Sequence, residues 1–110
     1  MLTPAQWSTI RELVAWLDAQ NGRSPQEITL RLLKISEEAG EVAAAWIGVQ
    51  GQNPRKGVTH SRADVADELC DVIVTAAVAL ASIAGDPAAH LDAKLAKIAA
   101  RPRTPEQVTA

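Results

Sequence analysis

A chain of 110 residues has room for one hydrophobic core, so any function must sit on a single small scaffold or at its interfaces. Its composition, 47% hydrophobic and 22% charged with a formal net charge of -2, excludes a disordered polyelectrolyte and disfavours a basic binder of nucleic-acid polymers. The single cysteine, Cys70, excludes an internal disulfide, and no apolar run approaches the roughly 20 residues of a membrane span, so a soluble, cytoplasmic protein with no membrane partner is expected.

The absence of Tyr and Phe, short β-branched runs and abundant alanine favour helices over strands. A first helix is expected over residues 4–20, opened by Thr3-Pro4, where the fixed φ of proline suits the first turn, and stopped by Gly22. Its Trp7, Ile10, Val14 and Leu17 form a packing stripe at spacings of three, four and three, and Trp16 is also assigned to packing. A second helix is expected over residues 25–49, opened by Ser24-Pro25 with Glu27 completing a capping box, and stopped by Gly51. Leu32, Ile35, Ala39, Val42, Ala43 and Trp46 form its apolar stripe, with Trp46 assigned to packing rather than to base stacking. Residues 50–60 make the one long connection.

A third helix is expected over residues 62–84, after Ser61 with Asp64 in its first turn and before Gly85. Val65, Leu69, Val72, Ile73, Ala76, Leu80 and Ile83 form its stripe. A fourth, over residues 87–100, starts at Asp86-Pro87 and is halted by Pro102. Residues 1–101 thus read as one all-α domain, a four-helix bundle, and residues 102–110 as a flexible tail.

Seven of the thirteen acids fall in two short windows: Glu37, Glu38 and Glu41 in the second helix, and Asp64, Asp67, Glu68 and Asp71 in the third. In an antiparallel hairpin, a rise of about 1.5 Å per residue puts Glu38 and Glu41 roughly 12 to 16 Å from their loop end and Glu68 and Asp71 roughly 9 to 14 Å from theirs. The heights overlap, so four carboxylates can converge. Carboxylates about 5 to 6 Å apart repel by roughly 3 kcal/mol per pair at an effective dielectric near 20, and the cluster needs neutralising. Protonation is one answer. A hard cation held by oxygen ligands, Mg²⁺ or Mn²⁺, fits a site made only of Asp and Glu better.

Glu37-Glu38-Ala39-Gly40-Glu41 and Glu68-Leu69-Cys70-Asp71, on two helices of a four-helix chain, resemble the MazG-like all-α nucleoside triphosphate pyrophosphohydrolases over about residues 24 to 101. The resemblance implies Mg²⁺ ligands at Glu38, Glu41, Glu68 and Asp71, with Glu37 orienting or deprotonating the attacking water. It implies cleavage of a nucleoside triphosphate to monophosphate and pyrophosphate by in-line attack of a metal-activated water, in nucleotide-pool house-cleaning. A triphosphate is a polyanion that an acidic site can hold only through cations, which agrees with that chemistry.

Further phosphate charge calls for basic groups, and the candidates are Lys34, one turn before Glu38, Arg55 and Lys56 in the connection, and Lys94, Lys97 and Arg101 on the fourth helix. The last three resemble the family's K-x-x-K-N-x-x-R stretch, with Ile98 in place of its Asn. Neither His60 nor His90 forms an E-x-x-H pair, Cys70 has no partner at ligand spacing, and no P-loop is present. Helices of about 23 to 25 residues run roughly 35 Å, long for a compact chain of this size, so a homodimer or homotetramer is expected to complete the bundle. Two alternatives accompany this reading: a phosphoribosyl-ATP pyrophosphohydrolase-like enzyme, and a non-catalytic helical oligomer that binds nucleotide or protein.

Overall fold

A computed structural model describes residues 2–104, in which the chain is all-α: α1 (Pro4–Asn21), α2 (Pro25–Gln50), α3 (Arg62–Ile83) and α4 (Pro87–Ala99). Each expected helix is present and starts where its cap predicts, and each ends within one residue of its expected end. Residues 105–110 of the expected tail lie outside the described residues.

The caps divide the work differently from the sequence expectation. Full capping boxes form at Thr3 with Gln6 and at Ser61 with Asp64. At Ser24 only half the box forms. Its hydroxyl accepts from the Glu27 N–H at 3.1 Å, but the Glu27 carboxylate accepts from Arg31 Nε at 2.8 Å instead of turning back to the cap. Gly51, at φ 61°, closes α2 in the left-handed region, which favours glycine. Gly85 does not stop α3. The extended Ala84 caps it, donating its N–H to the Leu80 carbonyl at 2.8 Å.

α2 and α3 form an antiparallel hairpin. Arg31 meets Ser82 near one end, Glu41 faces Glu68 in the middle, and the Gly48 carbonyl accepts from the Thr59 N–H at 3.0 Å near the loop. Buried and half-buried positions recur at spacings of three and four along the facing sides: Arg31, Ile35, Glu38, Val42, Ala45 and Val49 on α2, and Val65, Glu68, Val72, Thr75, Ala79 and Ser82 on α3. This is a coiled-coil-like seam.

The expected stripes are therefore rotated. Leu32, Ala39, Ala43 and Trp46 on α2 and Leu69 and Ile73 on α3 are exposed. Five seam positions are polar, and a reading led by hydrophobicity moves the stripe onto their apolar neighbours. At Gly48 the loop crosses so closely that an added Cβ would lie 2.5 Å from Thr59 Oγ1 and clash with the His60 ring.

α1 packs across the second half of α3 through Trp7, Ile10 and Ala77, with Ala88 and Leu91 of α4 completing the cluster. Trp16 is 59% exposed, contrary to its assigned packing role, because it lies on the side of α1 away from that cluster. α4 leaves α3 with a bend of 115°, and its Ala88 and Leu91 pack against the cluster formed by α1 and α3. The radius of gyration is 17.9 Å, against about 13 Å for a compact chain of this length, so one chain alone does not close a four-helix bundle. Among the described residues, no single helix is long and apolar enough to cross a membrane.

Candidate metal centre

Two features of α2 and α3 create the centre. The three-four alternation puts Glu38 and Glu68 inside the seam, and the next positions around each helix, Glu41 and Asp71, border them on one flank. One carboxylate oxygen from each of Glu38, Glu68 and Asp71 lies within 4.8 Å of the other two. A second set, Glu37, Glu38 and Glu41, meets the same 4.8 Å criterion, so Glu38 joins the two. Oxygens on one Mg²⁺ at 2.0–2.1 Å span about 4.2 Å at most, so small side-chain rotations would bring either set to coordination distance.

The electrostatics are those of a cluster short of counter-charge. Oε2 of Glu68 is buried and has no hydrogen-bond partner. The Glu41 carboxyl is held above its ordinary value, first by its contact with the Glu68 carboxyl, which needs a proton between them. Partial desolvation and the negative charges of Glu68 and Glu37 add to this, while a contact with Glu38 opposes it. A proton or a cation would satisfy the Glu68 oxygen, and the all-oxygen donor set suits a hard divalent cation.

No family model matches this chain, and comparison with curated proteins and with solved structures yields no match.

The cations expected to serve the site are spread over the molecule. Lys34 touches it: Nζ donates to Glu37 Oε1 at 3.1 Å and lies 3.5 Å from Glu38 Oε1. The hydrogen bond and charge of Glu37 hold the Lys34 ammonium above its ordinary value, with a smaller contribution from Glu38. Arg55 and Lys56 belong to the hairpin connection, roughly 9 to 14 Å along the helices from Glu68 and Glu41. That connection turns on Asn53, whose carbonyl accepts from the Lys56 and Gly57 N–H groups at 3.1 and 2.9 Å. Lys94, Lys97 and Arg101 follow the far end of α3, and Ile83 itself stands about 18 Å along that helix from Asp71. Within one chain, α4 is not brought to the carboxylates.

Two features escaped the sequence reading. Arg31, 5% exposed, sits in the seam and is matched on every side: by Asp18 at 2.9 Å, Glu27 at 2.8 Å, Ser82 Oγ at 3.1 Å and the Gly22 carbonyl at 3.1 Å. Its signal was present as an i, i+4 pair with Glu27, but the contact with Asp18 depends on how α1 folds back. The other is Trp46. It is 40% exposed rather than packed, and Arg62 stacks over its ring at 5.2 Å, on the flank opposite Glu41 and Asp71.

Proposed function

We propose that this protein is a Mg²⁺-dependent nucleoside triphosphate pyrophosphohydrolase, as its resemblance to the MazG-like enzymes implies, and that it works as a homodimer or homotetramer. The observation that carries the reading is the buried, unpartnered Glu68 oxygen within a focus of carboxylates contributed by both helices of the hairpin. The oxygens of Glu38, Glu41, Glu68 and Asp71 fit a hard cation by number and type. When bound, Mg²⁺ would neutralise the polyphosphate and the charge that develops on its oxygens.

The chain's own groups supply the rest. Glu37, with a side chain 64% exposed at the outer edge of the cluster, is placed to orient a water and accept its proton. The water oxygen bonds to the α phosphorus while the bond from that phosphorus to the α–β bridging oxygen breaks. The electron pair departs with pyrophosphate, leaving the monophosphate. Lys34, which touches the cluster, holds phosphate charge. The exposed apolar faces support self-association, which would let Lys94, Lys97 and Arg101 of one subunit approach the site of another.

The test is release of pyrophosphate from common and modified nucleoside triphosphates in the presence of Mg²⁺. Glu38→Gln should remove Mg²⁺ binding in calorimetry and lower turnover at least about 100-fold while the helices stay folded. Full activity in that variant would refute the ligand assignment, and no turnover with any nucleotide would refute the reaction.

A further inference from the structure

Lys34, Glu41 and Gly48 recur every seven residues on α2 and form one row with steps of about 10 Å, so Gly48 stands about 10 Å beyond Glu41. There the hairpin connection folds back and closes a cleft of about 330 Å³ against Ala44, Ile47 and Gly48. Nine residues separate Glu38 from Ile47, which at about 100° per residue sets them on opposite sides of α2. The cleft therefore extends behind the helix, away from the carboxylates of the seam. From the connection it receives Gln52, Asn53, Lys56 and His60.

The polar atoms left free in this cleft decide what it can hold. Asn53 Oδ1 accepts from the Arg55 N–H at 3.0 Å, and the Gly48 carbonyl accepts from the Thr59 N–H at 3.0 Å. His60 Nδ1 and Thr59 Oγ1 are hydrogen-bonded to each other at 2.8 Å. The connection thus uses its acceptors for its own turn, and leaves the Asn53 and Gln52 amide N–H groups, the Lys56 ammonium and Nε2 of His60. Among the described residues Lys56 makes no ion pair, and no carboxylate lines the cleft. The Asp64 carboxylate, whose charge interacts with His60, accepts from the Ser61 N–H at 2.8 Å and caps α3 instead.

We propose that this cleft is a second binding site, for a small organic phosphate: Lys56, His60 and Asn53 hold the phosphate group, and the carbon part lies on Ala44 and Ile47. Donors on four side chains match the three terminal oxygens of a phosphate monoester better than the flat oxygen pair of a carboxylate. An anion selects the forms of the His60 ring that carry a proton on Nε2. The volume, at the lower end of the ~300–1,000 Å³ of small-molecule sites, leaves room for a carbon part beside the phosphate. The site needs no metal and stands whether or not the pyrophosphohydrolase reading holds. Its occupant would tie the connection to α2.

The test is a titration of the full chain, labelled with ¹⁵N and held in chelator, with ribose 5-phosphate, inorganic phosphate and acetate, read by amide shifts. The chelator keeps the carboxylates from holding phosphate through a cation. Ribose 5-phosphate should bind with a Kd of roughly 1 mM or lower, with shifts confined to residues 44–60. Inorganic phosphate should bind about threefold more weakly and acetate at least about tenfold more weakly. Lys56→Ala, at an exposed position, should cost at least about tenfold, and Lys94→Ala less than about twofold. Gly48→Ala places a methyl group against the His60 ring, displaces the connection and should abolish binding, with circular dichroism checking the helices. Shifts centred on α4, acetate binding as tightly as phosphate, unchanged affinity in Lys56→Ala or in Gly48→Ala, or no binding by about 10 mM overturns the site. Equal affinity for the two phosphates overturns the placing of a carbon part on Ala44 and Ile47.

Discussion

The hairpin seam buries charge twice, and the two places are treated in opposite ways. At the α1 end, Arg31 is surrounded by two carboxylates, a hydroxyl and a carbonyl, all at 2.8 to 3.1 Å. Some two turns along α2, Glu38 and Glu68 share the same seam with Glu41 and Asp71 beside them, and Lys34, at the rim, reaches Glu38 at 3.5 Å. One charge cluster is closed within the chain. The other is open, and a chain that can build the first has left the second short of positive charge. Such an imbalance in a seam is a mark of a site prepared for something outside the protein.

Breaking the closed end should have the largest effect. Arg31→Ala leaves Glu27 without its cation, Asp18 with Arg23 alone, and the Ser82 hydroxyl and Gly22 carbonyl without their donor, and is expected to lower stability by about 3 kcal/mol, read as a lower urea midpoint with an unchanged slope. A loss below about 1 kcal/mol would show that α1 is held by its apolar contacts alone. At the open end the sign should reverse. Glu68→Gln removes a buried unpaired charge and should raise the metal-free unfolding free energy by about 1 to 2 kcal/mol, while abolishing stabilisation by Mg²⁺. A variant that is destabilised without metal and still responds to Mg²⁺ would erase the distinction between the two ends.

pH sharpens the same contrast. Burial alone would raise the Asp18 carboxyl, but its contacts with Arg23 and Arg31 outweigh this and hold it below its ordinary value of 3.8. Its contribution to stability is therefore present above that value and lost as pH falls through the lower folded one. Glu41 is held above its ordinary 4.5, chiefly by Glu68, so its protonated form favours the fold: that contribution is full below 4.5 and lost as pH rises through the raised value. Thermal midpoints recorded in chelator from acid to neutral pH should show Asp18→Asn losing the acid-side fall and Glu41→Gln losing the decline on the other side. Identical profiles in both variants would contradict the assignment. The smallest effect is expected at Arg62→Ala, about 0.5 kcal/mol from the exposed stack on Trp46, with Mg²⁺ binding unchanged.

The helices were legible because their starts are written in single residues: Thr3-Pro4, Ser24-Pro25, Ser61 and Asp86-Pro87 each cap a helix in the structure. The convergence of the acid windows was legible too, because height along a helix follows from residue count alone. Rotation about the helix axis was not. α2 carries Leu30, Leu32, Leu33, Ile35 and Trp46 on several sides, so an apolar stripe can be drawn in more than one direction. The true seam runs through Arg31, Glu38, Glu68, Thr75 and Ser82, residues that a search for apolar periodicity passes over. What buries them is pairing across the hairpin and, for Arg31, the return of α1, and neither is a local property of the sequence.

The heptad row of Lys34, Glu41 and Gly48 also acts as a ruler on how this chain can change length. One residue inserted between Glu41 and Gly48 would swing everything beyond it by about 100°, carrying the glycine away from the crossing loop and exposing a bulkier neighbour to His60. Seven inserted residues would nearly restore the angle and only lengthen the gap between carboxylates and loop. Natural variants of this hairpin should therefore differ by pairs of helical turns, and the width of the groove along it should change in steps rather than continuously.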